Sequence, residues 1–206
     1  MRGALLISYA TPFLLTACSD VKKPSDGNFS KAIDQYLQKH GKACTWIGRP
    51  FPIDVSESEQ KFQYGTGPQM AALERAGLVR SSNIVAATPG LFGPGSPRPV
   101  KRYELTGEGE RYFQQSPGVF GQTAGFCYGE KTVDSVVKWT EPMTMGSYSQ
   151  TTVTYTYKIE DLAPWAKRPD VQGVFGDIRT TVSGVSKSNE IAGLQLTNQG
   201  WEVPGQ

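Results

Sequence analysis

The sequence is poor in the residues on which most catalytic sites depend. Its 206 residues include one histidine, His40, although nucleophilic and general-base catalysis usually rely on a histidine. It contains no GxSxG nucleophile elbow, phosphate-binding glycine loop or HExxH zinc motif, and its His, Cys, Asp and Glu residues nowhere have the spacing of metal ligands. His40 falls at the end of the first predicted helix, where a cation interacts favourably with the helix dipole. We therefore expect a non-catalytic protein without a cofactor or metal.

The chain also lacks a strong charge bias and a membrane-spanning segment. Lys and Arg number 21 against 19 Asp and Glu, which gives a formal net charge of +2. A protein this close to neutrality lacks the basic surface with which nucleic-acid-binding proteins attract phosphates. After the N-terminal region, no apolar run approaches the length of about 20 residues that a membrane-spanning helix needs. We therefore expect no nucleic-acid partner and no membrane-spanning helix.

The N-terminal region has the features of an export signal. Residues 1–3 carry one positive charge, and residues 4–15 form a mostly apolar run that contains Pro12. This run is shorter than a membrane span, and it leads into Leu-Thr-Ala-Cys at residues 15–18. Those four residues resemble the lipobox of bacterial lipoproteins, in which a branched apolar residue and two small residues precede a cysteine. The alternatives are an ordinary secreted protein that is cut elsewhere and a cytoplasmic protein with an apolar start.

The lipobox resemblance implies both a location and an anchor. In that family the signal peptide, here residues 1–17, is removed, and the cysteine, here Cys18, receives a diacylglycerol; the new amino terminus can be acylated as well. Two or three acyl chains make such an attachment stable. An Asp directly after the cysteine favours the inner membrane of Gram-negative bacteria, whereas this chain has Ser19. The expected location is the cell envelope, on the periplasmic side of the outer membrane.

The three cysteines predict one disulfide bond. With Cys18 lipidated, Cys44 and Cys127 remain as an even pair in an oxidising compartment. In the chain-entropy treatment, closing a loop of that length stabilises a fold by roughly 4 to 5 kcal/mol. The alternative is a reactive or metal-binding thiol pair, but the sequence lacks CxxC spacing and a nearby histidine.

Composition and periodicity divide the mature chain into three parts. Residues 18–28 are polar, contain Pro and Gly, and are typical of a tether between lipid and fold. Residues 29–117 predict a helix, a strand, a short helix, a second helix, a hairpin and a last helix. The tip of that hairpin, the Pro- and Gly-rich residues 88–99, is expected to be a long flexible loop. Residues 118–206 predict mainly strands, including one at 178–182.

One part of the chain resembles a winged-helix domain. The element order over residues 30–115, with Ala-Leu-Glu-Arg-Ala-Gly-Leu-Val at 72–79 and Tyr-Glu-Leu-Thr at 103–106, is similar to winged-helix repressors. That family places the helix before the hairpin in the DNA major groove. The matching positions here are Gln69, Arg75, Arg98, Lys101 and Arg102. Because a lipid-anchored protein does not reach DNA, we expect this part to contact protein instead.

The clearest strand signal lies in the C-terminal part. Between residues 147 and 159, apolar and polar side chains alternate, which predicts a strand with one buried face. Residues 162–175 contain two prolines and predict a broken helix. The expected fold is therefore α+β, with an N-terminal winged-helix-like helical part and its hairpin followed by a mainly antiparallel β-sheet part.

Acidic and aromatic residues are the remaining candidates for a site. Glu130, Asp134 and Glu141 lie near one another in the sequence, and paired carboxylates alone can hydrolyse glycosidic bonds. Scattered acidic residues on the surface of a strand are the simpler interpretation. Exposed aromatic side chains stack on sugars or bind proteins, and the candidates here are Trp165 and Tyr148.

These patterns predict a membrane-anchored envelope lipoprotein. We expect it to be a non-catalytic binding or accessory module that contacts an envelope protein or a glycan of the cell wall. Two alternatives stay open, namely a carbohydrate-active hydrolase that uses acidic residues and a protective or inhibitory lipoprotein.

Overall fold

A computed structural model describes residues 20–90, 93–118 and 121–205. The predicted signal peptide and Cys18 lie outside these residues, so lipid attachment stays a prediction. Within the described ranges, no helix combines the length and the apolar character that crossing a membrane requires.

The described residues form six α-helices, one 3-10 helix and ten strands. The helices are α1 (Asp26–His40), α2 (Glu57–Gln60), α3 (Thr66–Arg75), α4 (Gly107–Tyr112), α5 (Pro169–Val174) and α6 (Gly176–Ser183), and the 3-10 helix is Pro164–Lys167. The strands are β1 (Lys42–Trp46), β2 (Ile53–Ser56), β3 (Val79–Gly90), β4 (Gly93–Leu105), β5 (Phe113–Gly118), β6 (Gly121–Trp139), β7 (Met143–Met145), β8 (Tyr148–Glu160), β9 (Asn189–Thr197) and β10 (Gly200–Glu202).

The strands form two sheets. The larger sheet has seven strands; β1, β6, β8, β9 and β10 follow one another in space, β5 pairs with β6, and β7 pairs with β8. The smaller sheet has the order β2-β4-β3. The pairings of the described strands are antiparallel. The predicted α+β class with an antiparallel sheet is therefore confirmed.

The predicted first helix covers one face of the larger sheet and forms the first core with it. α1 begins after Ser25, whose side chain accepts a hydrogen bond from the Asn28 N–H, and its apolar face buries Phe29, Ile33 and Leu37. Burying such a side chain stabilises a fold by roughly 1.5 to 3 kcal/mol. The helix packs on the alternating buried side chains of β8, which are Val153, Tyr155 and Tyr157. The alternation predicted for this strand is confirmed.

A second core lies between the two sheets and the C-terminal helices. It contains Ile53 of β2, Leu73 of α3, Phe126 of β6 and Ile178 of α6. Both cores therefore combine residues from before and after position 117. α1 belongs to the core of the larger sheet, whereas α3 and the smaller sheet pack into the second core together with β6 and the C-terminal helices.

The hairpin of β3 and β4 is longer and more regular than predicted. Strand pairing continues to Gly90 opposite Gly93, so residues 88–99 do not form the predicted long loop. Proline has no N–H donor and is tolerated at strand positions where no donor is needed. Such positions exist here because β2 reaches only as far as Val100 along β4, which leaves β4 paired on one side.

One predicted strand is a helix. Residues 178–182, predicted as a strand from their β-branched side chains, lie in α6. Ile178 is fully buried in the second core, together with Phe175 directly before the helix. Packing of one helical face thus overrides the local strand preference. The broken helix predicted over residues 162–175 is confirmed as the 3-10 helix followed by α5.

The predicted disulfide bond is confirmed. Cys44 of β1 is bonded to Cys127 of β6, and the two residues are direct partners in the register of these strands. The bond closes a loop with a sequence separation of 83. It therefore ties the edge strand β1 to its neighbour β6.

Within the segment predicted as a tether, residues 18–28, the described residues from Asp20 onward are bound to the fold. Asn28 Nδ2 donates hydrogen bonds to the carbonyl oxygens of Asp20 (2.9 Å) and Lys23 (2.8 Å). The Trp201 indole N–H donates a hydrogen bond to the Lys22 carbonyl oxygen at 3.1 Å. α1 and β10 thus supply donors for carbonyl groups of residues 20–23, and the role of residues 18–28 as a tether to the lipid stays a prediction.

Candidate functional site

A groove opens beside the smaller sheet where β2 ends. β2 pairs with β4 as far as Ser56, which faces Val100. The preceding part of β4, residues 93–99, pairs only with β3. The position that a third strand would occupy beside these residues is therefore open. The groove has a volume of about 860 Å³ and is lined by side chains from residues 49–59 and 98–100.

Proline and aliphatic side chains form the apolar part of the groove. Pro50, Pro52 and Pro99 line it together with Ile53 and Val100. Because proline cannot donate a backbone hydrogen bond, these segments cannot close the groove by regular strand pairing. Ile53 and Val100 are buried at the base of the groove, so the apolar surface that it offers to a ligand comes mainly from the exposed pyrrolidine rings of Pro50, Pro52 and Pro99.

The carboxylates of the groove are held by cations of the protein. Glu59 contacts Arg49 Nη2 at 2.6 Å and accepts hydrogen bonds from the Ser56 N–H at 2.9 Å and the Ser56 hydroxyl at 2.8 Å. Burial opposes ionisation of Glu59, but the hydrogen bonds from Ser56 and Arg49 outweigh it, so the pKa of Glu59 lies below its usual value. Asp54 accepts two hydrogen bonds from Arg102, both at 2.7 Å.

Arg98 differs from the other charged residues of the groove. Its side chain is exposed, and among the described residues it makes no hydrogen bond or ion pair. Glu57, the last carboxylate of the groove, contacts Lys61 at 2.7 Å, and the hydrogen bond from Lys61 lowers the pKa of Glu57. A ligand carboxylate can therefore pair with Arg98 without displacing an internal ion pair.

The polar chemistry of the groove suits binding better than catalysis. The hydroxyls of Ser56 and Ser58 lie 3.0 Å apart, and the nearest carboxylate, Glu59, is paired with Arg49 and kept ionised. Activation of a serine needs a neighbouring base whose pKa is tuned toward the working pH, and a carboxylate with a lowered pKa is a weak base. Within the described part of the chain, no three His, Cys, Asp or Glu residues are grouped so as to hold a metal ion.

Trp165, predicted as a binding residue on the surface, is buried. Its exposed fraction is 4%, and its ring packs edge-to-face against Tyr112, Phe126 and Tyr128 at centroid distances of 5.9, 6.3 and 6.0 Å. The prediction was wrong because the proline-interrupted segment lies as a 3-10 helix against the second core. The indole N–H has no hydrogen-bond partner among the described residues.

Tyr148, the second predicted binding residue, is exposed but lies outside the groove. Its exposed fraction is 58%, and it belongs to the hairpin of β7 and β8, which follows the end of β6. The groove adjoins the start of β6 instead, where the Ala124 N–H donates to the Arg49 carbonyl at 3.0 Å. The structure therefore does not bring Tyr148 and Trp165 together, and a binding role of Tyr148 stays a prediction.

The acidic residues of the predicted hydrolase site are spread along the chain. Glu130 lies in the middle of β6 and Glu141 lies two residues after its end, on the order of 35 Å apart along an extended chain at about 3.3 Å per residue, whereas glycoside hydrolases hold two carboxyl groups about 5 to 10 Å apart. Glu130 faces Glu160 across the pairing of β6 and β8. However, Glu160 contacts Lys158 at 2.8 Å, and the hydrogen bond from Lys158 lowers the pKa of Glu160, whereas a general acid needs a raised pKa. The geometry thus gives no support to the hydrolase alternative.

The basic residues at the winged-helix DNA-contacting positions are largely paired within the protein. Arg75 contacts Asp170 at 2.9 Å, and Lys101 contacts Glu74 at 2.9 Å. Arg102 contacts Asp54, as described above. Carboxylates of the protein thus compete with any phosphate for these cations.

The groove was missed in the sequence. One wall comes from residues 49–59, for which the sequence predicts only a short polar helix, and the other wall comes from a strand that the sequence predicts as a loop. The available signal was Arg-Pro-Phe-Pro at residues 49–52, because two prolines this close together interrupt strand pairing.

Comparison with known proteins supplies no relative from which a function can be transferred. No protein-family model, no curated protein and no solved structure matches the chain. The geometry of the groove and the N-terminal sequence are therefore the basis for a proposed function.

Proposed function

We propose that this protein is a membrane-anchored envelope lipoprotein that binds an extended peptide of a protein or cell-wall partner without catalysing a reaction. The observation that carries the proposal is the preformed groove, in which Arg98 has no partner among the described residues. A concave site with apolar walls and a few fixed polar groups is the usual form of a ligand site.

The N-terminal sequence and the disulfide bond support a location in the cell envelope. Residues 15–18 resemble a lipobox, and Ser19 favours the outer membrane if the cell is Gram-negative. The bond between Cys44 and Cys127 fits an oxidising compartment such as the periplasm. Lipid on Cys18 is the proposed attachment to the membrane.

An extended peptide matches the shape and the chemistry of the groove. The groove continues the smaller sheet beyond the end of β2, so an extended segment has room beside β4. Pro97 and Pro99 of β4 have no N–H to donate, so the groove holds such a segment mainly through side chains. The apolar lining accepts short aliphatic side chains, and Arg98 can donate hydrogen bonds to a carboxylate. A protein loop and a stem peptide of the cell wall share this chemistry of amide groups, small apolar side chains and carboxylates.

We further propose that α2, α3 and the smaller sheet act as a winged-helix-like scaffold for contact with protein rather than DNA. The strand order β2-β4-β3 and the two helices that precede the hairpin support this likeness. The ion pairs of Arg75, Lys101 and Arg102 argue against phosphate as the ligand, because binding it would break them.

Photo-cross-linking in living cells tests the proposed binding. A photoreactive amino acid replaces Ser58, an exposed residue of the groove, in the full-length protein. We expect an adduct that either contains a second protein or is released by a cell-wall hydrolase, and this difference identifies the source of the peptide. Arg98→Glu should reduce the adduct about tenfold, because it removes an electrostatic contact of roughly 1.4 kcal/mol and adds repulsion.

Arg179→Glu is the matched control for this experiment. The side chain of Arg179 is also exposed and makes no hydrogen bond or ion pair with the described residues, but it lies on α6, outside the groove. Both variants change the net charge of the protein equally. A loss of adduct in both would therefore be an effect of net charge and would contradict a role of the groove. The absence of an adduct at position 58, or an adduct that Arg98→Glu leaves unchanged, would also contradict the proposal.

A further inference from the structure

The start of the described chain is fixed to the surface of the fold. Asn28 Nδ2 donates to the Asp20 carbonyl at 2.9 Å, and the Trp201 indole N–H donates to the Lys22 carbonyl at 3.1 Å. The Lys22 N–H in turn donates to the Asp20 carboxylate at 3.0 Å. Asp20 is therefore held between the start of α1 and β10.

The distance from Asp20 to the proposed lipid is very short. Ser19 is the only residue between Asp20 and Cys18. Because consecutive Cα atoms are 3.8 Å apart, the Cα atom of Cys18 can lie at most about 8 Å from that of Asp20. Acyl chains on Cys18 would therefore place the membrane surface beside this part of the fold. We call this part the anchor end; it consists of residues 20–23, the start of α1, and β10.

The end of β6 belongs to the anchor end as well. Phe29 of α1 packs edge-to-face against Trp139 and Trp201 at centroid distances of 5.3 and 5.1 Å. The Trp139 indole N–H donates to the Asp26 carboxylate at 2.9 Å. Trp139 is the last residue of β6, and β7 begins at Met143, four residues later. The hairpin of β7 and β8 therefore projects from the anchor end.

This hairpin has one largely apolar face. Met143 and Met145 occupy alternate positions of β7, and their cross-strand partners are Gln150 and Tyr148. These four side chains share a face, and three of them, Met143, Met145 and Tyr148, are large and mainly apolar. Their exposed fractions are 72%, 77% and 58%. On the opposite face, the hydroxyls of Thr144 and Ser149 form a hydrogen bond of 2.7 Å. A cluster of exposed apolar side chains is typical of a surface that contacts a membrane or another molecule.

The position of the hairpin favours the membrane over a protein partner. A lipid on Cys18 brings a bilayer to the anchor end whether or not any other protein is present. Tyrosine is favoured at a bilayer interface because its ring is apolar and its hydroxyl is polar, and methionine adapts its shape to irregular surroundings. Lys22 and Lys23 are exposed at the anchor end, but so are Asp20 and Asp26, so what favours the membrane is the position of the hairpin and its side chains rather than charge.

We propose that the hairpin of β7 and β8 inserts Met143, Met145 and Tyr148 into the interfacial region of the membrane that holds the lipid anchor. The protein is then held at two points, and its anchor end faces the bilayer. The groove, near the opposite end of β6, faces away from the membrane toward its partner. This second contact depends on the proposed lipid on Cys18 for its place at the membrane.

Fluorescence of the full-length, lipidated protein in vesicles tests the insertion. A polarity-sensitive fluorophore is attached through Ser147→Cys in the turn of the hairpin and, in a separate control sample, through Ser58→Cys in the groove. The vesicles contain phosphatidylethanolamine and phosphatidylglycerol, with or without a quencher on the acyl chains. We expect the label at position 147 to be quenched several times more strongly than the label at position 58, because only the hairpin enters the interface. Equally weak quenching at both positions would overturn the proposal.

Two substitutions distinguish the apolar face from the hairpin as a whole. Met145→Asp places a charge on the apolar face and should abolish the quenching at position 147, because a charge is costly to insert below the headgroups. Thr144→Asp places the same charge on the polar face and should leave the quenching in place. Equal effects of both substitutions would overturn the proposal, as would quenching at position 147 that occurs only after a partner protein is added.

Vesicle flotation measures the lipid anchor separately. Protein that does not float with the vesicles, or that carries no acyl groups on Cys18 by mass spectrometry, would contradict the proposed lipoprotein. Protein that floats while the label at position 147 stays in water would contradict only the insertion of the hairpin.

Discussion

The surfaces near the two ends of β6 differ in their side-chain chemistry. At the groove end, defined by residues 49–59 and the start of β6, arginines and carboxylates pair with one another, as in Arg49 with Glu59. At the anchor end, the β7–β8 hairpin exposes two methionines and a tyrosine on one face. Paired charges are well solvated, so such a surface can stay exposed to water until a ligand binds. A cluster of exposed apolar side chains is instead typical of a surface that contacts a membrane or another molecule. The proposed ligand binding and the proposed membrane contact therefore lie at different ends.

The two ends are far enough apart to be tested separately. Ala124, which pairs with the groove segment, and Trp139 are fifteen residues apart on β6, roughly 45 Å along the strand. The second core supports the groove end and the first core supports the anchor end. Substitutions at sites this distant usually have independent effects on stability.

Loss of the disulfide bond is expected to have the largest effect, and to act at the groove end. Replacing Cys44 and Cys127 by serine releases β1, which leads directly into the groove segment, and should lower the free energy of unfolding by about 4 kcal/mol. Chemical denaturation of the full-length protein measures this loss. Amide hydrogen exchange should rise more in β1 than in α1, and an equal rise in both elements would show that the two ends are not independent.

Phe29→Ala is the matching test at the anchor end. Phe29 is 0% exposed and packs against both Trp139 and Trp201, so its loss leaves a cavity that should cost about 3 kcal/mol. Phe29→Leu is the control and should cost about 1 kcal/mol. Thermal unfolding measures both changes, and the Arg98-dependent cross-linking at the groove should survive in both variants under folding conditions. A loss of that cross-linking would show that binding at the groove depends on the anchor end.

Glu59→Gln should have the smallest effect, and that effect should depend on pH. The substitution weakens the ion pair with Arg49 and the capping box at the start of α2, which we expect to cost about 1 kcal/mol at pH 7. The pKa of Glu59 in the folded protein lies below its usual value. Its carboxylate therefore stabilises the fold above the unfolded-state pKa, and this stabilisation is lost as the pH falls through the lowered folded-state pKa.

Denaturation at two pH values measures this dependence. The parent protein and Glu59→Gln should differ at pH 7, and the difference should shrink as the pH is lowered below the ordinary pKa of glutamate. Glu141→Gln, near the anchor end, is the matched control, because Glu141 is exposed and makes no ion pair among the described residues. A difference for Glu59→Gln that persists undiminished at low pH would rule out the carboxylate as its source.

Patterns that depend on near neighbours in the chain predicted much of the fold. The spacing of Phe29, Ile33 and Leu37 predicted α1, and the alternation of Tyr155 and Tyr157 with threonines predicted β8. These predictions hold because a helix or strand with one buried face imposes its own period on the sequence. The pairing of the two remaining cysteines followed from their even number and the expected compartment.

The candidate site could not be predicted in the same way. Arg49 and Arg98 lie on opposite walls of the groove only because β2 pairs with β4 and stops at Ser56. The side chain of Arg98 has no ion-pair partner among the described residues because the nearby carboxylates of Asp54, Glu57 and Glu59 are paired with other cations. Trp165 was mistaken for a surface residue, because local proline content does not reveal which core a segment packs against.

The amino-acid sequence by itself determined the elements with a clear period, the disulfide pair and the resemblance to a lipobox, because each depends on residue spacing or on the compartment. Only the tertiary structure decided that residues 20–23 bind to the fold, that the β7–β8 hairpin shares an end of the molecule with those residues, and that the groove lies at the other end. These relations join residues that are far apart in the chain, such as Lys22 and Trp201, and no local pattern records them.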